Sequence, residues 1–190
     1  MKKFLVTALF LVLTAAAAFA APLDSFKGQK GTLDIAGGTA HIPVMKEAAK
    51  RIMSANPDIR ITVAGGGSGV GVKQVGEGLA AIGNTGRALK KEEIEKYGLV
   101  SFPFAIDGVA VVISPASKVK ALTSAQVADI YAGKVTDWKE VGGEPGAINV
   151  YGREDGSGTR EVFTDKVLKK GAVSPSANVV SSNGAMKTAV

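Results

Sequence analysis

The chain has no cysteine. That excludes disulfide bonds and thiolate metal sites, and it excludes a lipid-modified cysteine as an anchor after export. It has a single histidine, His41. With no carboxylate or nucleophile evident beside it, one imidazole makes a poor general base, and His41 reads as a surface or cap residue. Aromatic residues are few, at 6% of the chain. Basic residues are spread out, as Lys90-Lys91, Lys118 and Lys120, and Lys169-Lys170. Nucleic-acid binding calls for a concentrated basic face with stacking aromatics, and neither is present. The net charge of +6 includes Lys2 and Lys3, and most other basic residues alternate with acids as on solvated helix faces. Beyond the first 20 residues no run is long and apolar enough to cross a bilayer.

The amino end is a basic Met1-Lys2-Lys3 followed by the apolar stretch Phe4 to Ala18 and then Ala18-Phe19-Ala20. This is the pattern of a cleaved signal peptide over residues 1–20, with Ala21 first in the mature chain. A membrane anchor is the competing reading, but the apolar run falls short of the roughly 20 residues a span needs. Export without a lipid anchor predicts a periplasmic protein of a Gram-negative cell. About 170 residues then remain, enough for one core or two small lobes.

Along the mature chain a strand, a loop and a helix recur. Thr32 to Ala36 reads as a strand, then Gly37-Gly38-Thr39-Ala40, then a helix from Pro43 to Ala55 with Met45, Ala48, Ala49, Ile52 and Met53 on one face. Ile59 to Ala64 is a second strand, followed by Gly65-Gly66-Gly67-Ser68-Gly69-Val70-Gly71 and a short helix. Leu79 to Gly83 is a third, followed by Asn84-Thr85-Gly86-Arg87 and a charged helix from Lys90 to Tyr97. Leu99 to Ala105 and Val109 to Ile113 read as further strands. Thr123 caps a helix reaching about Tyr131, and Tyr131 and Trp138 read as core. Ile148 to Tyr151 and Val179-Val180 are short strands, and Ser182-Asn183-Gly184 opens a last helix. The rhythm predicts a mainly parallel α/β sheet, with lobes over 21–107 and 108–190. Ligands of such sheets collect beyond the carboxyl ends of the strands, where the glycine loops lie.

The most informative stretch is Arg153-Glu154-Asp155-Gly156-Ser157-Gly158-Thr159-Arg160. It joins a strand to a helix with apolar Val162, Phe163, Val167 and Leu168. A helix start offers free N–H groups and partial positive charge, and the glycines let an anion come close. Ser157 and Thr159 add hydroxyls, and Arg153 adds a fork that fits two oxygens of an oxyanion. The alternative is a plain Gly-Ser turn capped by Ser157. Asp155 either braces Arg153 or accepts a proton from a protonated anion. Gly65 to Lys73 is not a nucleotide loop: Val72 separates Gly71 from Lys73, and no register gives the dinucleotide glycines. It reads as an anion contact through Ser68 or as a flexible turn. Thr39 and Ala40 offer N–H groups and one hydroxyl, or a simple cap. No metal or cofactor is implied.

Gly37-Gly38-Thr39, Gly65 to Gln74, Asp129-Ile130-Tyr131-Ala132-Gly133-Lys134-Val135-Thr136-Asp137-Trp138, Arg153 to Arg160 and Ser182-Asn183-Gly184-Ala185-Met186 occur in an order and spacing that resemble the periplasmic phosphate-binding proteins of phosphate ABC transporters. The resemblance covers the chain from Thr32 onward. It implies an α/β, periplasmic-binding-protein-like two-lobe clamshell that closes on inorganic phosphate and docks on the transporter's membrane subunits. Carried over by motif, phosphate is contacted by Thr39, Ala40, Ser68, Arg153, Ser157, Gly158 and Thr159.

Two departures from the resemblance stand out. Characterised members of that family carry an acidic acceptor in the turn after the third strand, where this chain has Gly86-Arg87. Weaker rejection of sulfate or arsenate is then expected, with Asp155 a candidate substitute. The family's chain also continues past the last motif to complete the first lobe. An incomplete first lobe predicts self-association or a complementing chain, and it keeps a second function open, a scaffold or self-assembling relative without transport. An enzyme is the least supported class, because no activated nucleophile or carboxylate–histidine grouping is evident.

Overall fold

A computed structural model describes residues 23–190 of the chain. The leader assigned to 1–20 lies outside the described residues. A short 3-10 turn, Leu23–Phe26, leads to β1, Gly31–Gly37. α1 runs Ile42–Ala55 with Pro43 at its start, where a missing N–H breaks no helical bond. Met45, Ala49, Ile52 and Met53 pack that helix on Ile35 and Ile61, with Leu33, Ile59 and Val63 around them. Asn56 stops α1 in extended backbone. Its buried side chain donates to the Phe26 carbonyl and to the Gln29 carbonyl, the latter at 2.8 Å. The residue that ends the helix therefore also straps the leading segment to it.

β2, Ile59–Gly66, α2, Ser68–Gly76, β3, Ile82–Asn84, and α3, Lys91–Tyr97, follow. The sheet order is β2-β1-β3 and both pairings are parallel, as expected. Gly37 is paired with Gly66 on one side and Asn84 on the other. The three strands thus finish side by side, and their outgoing loops emerge at one place. An apolar cleft of about 410 Å³ opens between α1 and this sheet, lined by residues that include Leu33, Met45, Ile52 and Ile82.

The second half carries α4, Ser124–Tyr131, a 3-10 turn at Trp138–Val141, β4, Tyr151–Arg153, α5, Gly158–Lys166, β5, Asn178–Val180, and α6, Asn183–Ala189. β4 and β5 pair in parallel, with Arg153 opposite Val180. Val127, Phe163 and Leu168 form a second core with Leu122, Tyr131 and Val173 packed around them. The Tyr131 and Phe163 rings sit 4.7 Å apart. The Tyr131 hydroxyl donates to the Tyr151 carbonyl at 3.2 Å, and burial pushes its pKa up. Tyr131 is therefore core, as the sequence indicates, and Trp138 is half-buried.

Two expected strands are absent. Among the described residues, 99–105 and 109–113 have no ladder partner, and they run irregularly. Phe102 and Phe104 are exposed and Ile106 is fully so. Apolar and β-branched residues favour a strand only where a neighbour supplies hydrogen bonds. β1 already has both edges taken, and among the described residues no strand lies beside 99–113. No helix among the described residues is long and apolar enough to cross a membrane.

Candidate functional site

The loops after β1, β2 and β3 meet the start of α5 and of α6. Gly67 caps α2 with φ +85°, a left-handed conformation that glycine adopts without strain. A Cβ there would also sit 3.0 Å from the Gly156 carbonyl oxygen. The next residue, Ser68, is buried, and its Oγ accepts from the Gly86 N–H at 3.0 Å. Gly69 N–H donates to the Gly156 carbonyl at 3.0 Å. An ideal Cβ on Gly158 would fall 2.2 Å from Ser68 Oγ, so the Gly158 backbone packs directly on the Ser68 side chain. Farther along the seam, Asn183 N–H donates to Thr39 Oγ1 at 3.2 Å.

The starts of α2 and α5 therefore face each other. Ser157 is buried and caps α5, its Oγ accepting from the Arg160 N–H at 3.3 Å. Each helix start carries about half a positive charge on its free N–H groups. Two such ends brought together repel mildly, and an anion shared between them would offset that repulsion.

Arg153 is buried behind this seam. Its Nε and Nη2 donate to the two carboxylate oxygens of Glu154 at 2.8 and 2.7 Å. Nε also reaches the Val180 carbonyl at 3.2 Å, and Nη1 donates to Asn183 Oδ1. A guanidinium Nη has two N–H groups, so Nη1 keeps one beyond that bond. Burial raises the Glu154 pKa, but the hydrogen bonds from Arg153 and from its own backbone, with the charges of Arg153 and Arg160, hold it below the usual carboxylate value. The expected brace is thus corrected: Glu154, not Asp155, holds Arg153. The Asp155 side chain is 97% exposed and lies 3.3 Å from Arg160, because Gly156 turns the chain outward at φ +81°.

A second ion cluster bridges the same seam. Arg87 donates to both Glu93 oxygens at 2.8 and 2.7 Å. Its Nε lies 3.0 Å from Glu161 on α5, close enough for attraction although the N–H is not aligned for a hydrogen bond. Lys90 joins Glu161 at 2.9 Å. The hydrogen bond from Arg87 lowers the Glu93 pKa against the opposing effect of burial, and the same bond raises that of Arg87.

Of the residues singled out from sequence, Thr39, Ser68, Arg153, Ser157 and Gly158 come together at this seam. Thr159 follows on the first turn of α5, half-buried, while Ala40 is exposed. Sequence reasoning missed Glu154 and Asn183 as members of the cluster, while Gly86, singled out as standing where the resemblance implies an acidic acceptor, enters it through its N–H. The Ser182-Asn183-Gly184 helix start was a signal for Asn183. Nothing local distinguishes Glu154 from Asp155, since which of two adjacent carboxylates faces inward depends on the turn at Gly156.

The chain matches the PBP superfamily domain over residues 26–189. It is 40% identical over 149 residues to the phosphate-binding protein PstS of Bacillus subtilis, an alignment covering 76% of this chain and 50% of that protein. It is 29% identical over 174 residues to protein SphX of Synechococcus elongatus, covering 86% of this chain and 52% of that one. The chain thus spans about half the length of these curated relatives. Among solved structures, a Clostridium perfringens protein described as a phosphate ABC transporter substrate-binding protein with bound phosphate superposes with a TM-score of 0.78 at 38% identity, over 84% of this chain and 66% of that one. An ABC-type phosphate transport receptor from Vibrio cholerae superposes with a TM-score of 0.62 at 34% identity, over 83% and 66%.

Proposed function

The chain belongs to the PBP superfamily, and on that premise we propose that it binds inorganic phosphate between its two lobes and serves a phosphate ABC transporter outside the cytoplasm. The observation that carries this reading is the seam itself, where Ser68 meets Gly158 and Gly69 donates to the Gly156 carbonyl. Thr39, Ala40, Ser68, Ser157, Gly158 and Thr159 supply N–H and O–H donors, and Arg153 supplies a cation locked in place by Glu154. Relatives named for phosphate binding support the choice of anion. The protein works by binding and release rather than as an enzyme. The lobes divide near residue 107. Closure follows because only the closed form lets both lobes donate to one ligand.

The direct test is a thermal or chemical melt with a panel of phosphate, sulfate, arsenate and molybdate. At a hundredfold excess over the dissociation constant, bound phosphate raises stability by about 2.7 kcal/mol. No shift with any of the four rejects the reading. A second reading, a scaffold that assembles with itself or with a complementing chain, is favoured by one observation: Phe102, Phe104 and Ile106 stand exposed in a segment without a ladder partner among the described residues.

A further inference from the structure

His41 stands where the first and third loops meet. Its ring packs edge-on against Phe104, with centroids 5.7 Å apart. An ideal Cβ on Gly38 would lie 2.7 Å from His41 Nδ1, and one on Gly86 would lie 3.9 Å from Cε1. The imidazole is thus held between two glycines, in a slot that a side chain at position 38 would fill. Gly86 in turn donates to Ser68 Oγ at 3.0 Å, and its carbonyl carbon is 3.3 Å from the Cβ position of Gly158. The ring therefore flanks the seam through one intervening residue. Its Nδ1 is buried and has no hydrogen-bond partner among the described residues. Leaving a buried polar atom unpaired is costly, and in a native structure such an atom calls for an explanation.

Backbone N–H groups only donate. They hold any oxyanion, and they do not tell one that carries a proton from one that does not. Hydrogen phosphate can donate a hydrogen bond and sulfate cannot, so the distinction needs an acceptor. The other acceptors named at the seam each already take a hydrogen bond or an ion pair; a hydroxyl or carbonyl oxygen keeps a second lone pair, but Nδ1 is the buried acceptor that takes none among the described residues. Glu154 holds Arg153, Ser68 Oγ takes the Gly86 N–H, Thr39 Oγ1 takes the Asn183 N–H, and the Asn84 carbonyl takes the Gly38 N–H at 2.8 Å. Asp155 points to solvent. A neutral imidazole protonated on Nε2 carries a free lone pair on Nδ1. We infer that His41, through this Nδ1 lone pair, selects a protonated oxyanion over a fully ionised one. The inference rests on the phosphate reading and adds to it the residue that sets selectivity.

His41 is the single histidine of the chain, so its imidazole nitrogens give an unambiguous pair of 15N signals in the full-length protein. Phosphate and sulfate are titrated at pH 8 into the wild type, His41→Phe and His41→Gln, by calorimetry and, for the wild type, by 15N NMR. Phenylalanine keeps a ring against Phe104 and removes the lone pair, while glutamine retains an acceptor. The expected result is that phosphate, and not sulfate, moves the wild-type Nδ1 signal. His41→Phe then lowers the phosphate-over-sulfate affinity ratio about tenfold or more while sulfate affinity holds, and His41→Gln stays within about threefold of the wild type. An unchanged ratio in His41→Phe, equal weakening of both anions, or an Nδ1 signal unmoved by phosphate that calorimetry shows to bind overturns the role of His41 and leaves phosphate binding standing. A wild type that binds neither anion overturns both.

Discussion

A methyl group added at Gly158 would lie 2.2 Å from Ser68 Oγ, far inside van der Waals contact, and the obstacle is a buried, hydrogen-bonded hydroxyl rather than a flexible tip. Gly158→Ala therefore pushes the two lobes apart where they meet. The helix it begins tolerates alanine well, so the loss falls on closure. Phosphate affinity is expected to drop about tenfold or more, measured by calorimetry, with little change in the melt of the anion-free protein. An alanine variant that binds as the wild type does would remove this contact from the account. The importance of Gly158 was legible in the sequence as one of two glycines at a helix start. The reason was not, because Ser68 is 90 residues away along the chain and meets it only in the folded molecule.

Helices were the most legible elements, since each combines an apolar period with a local stop or start. α4 is one example. Thr123 Oγ1 accepts from the Gln126 N–H at 3.2 Å, and Gln126 Oε1 accepts from the Thr123 N–H at 2.9 Å. This capping box is readable from Thr-Ser-Ala-Gln alone. Thr123→Ala is expected to cost about 1 kcal/mol, seen as a lower denaturant midpoint with an unchanged slope and with phosphate affinity intact. Loss of anion binding in that variant would tie α4 to the site, contrary to its position. Strands were less legible. Val109 to Ile113 has the composition of a buried strand, yet it has no ladder partner among the described residues. Composition records what a segment would gain from a ladder, and the ladder's other side lies elsewhere in space.

For the molecule as a whole, acid is the most direct probe of the ion clusters. Glu93 and Glu154 both have pKa values below the ordinary carboxylate value. A depressed carboxylate contributes stability that is present above its unfolded pKa and is lost as pH falls through the folded one. Melting temperature is therefore expected to hold from neutral pH down to about 5 and to fall below about 4. Glu93→Gln should flatten part of that fall, and a protein that grew more stable on acidification would contradict the pairing. The exposed Phe102, Phe104 and Ile106 predict association at micromolar concentration, read by light scattering, and replacing the three with serine should abolish it. A wild type that scatters as a monomer with a cooperative melt would sink this prediction. The sequence alone determined the α/β rhythm, the helix caps and the glycine loops that carry donors, because these depend on residues within a few positions of one another. Only the tertiary structure decided that Glu154 rather than Asp155 holds Arg153, that Arg87 reaches Glu161, and that His41 lies between two glycines with a nitrogen unpaired among the described residues. Each of those depends on where parallel strands end together, which is a matter of sheet register and not of neighbours in the chain.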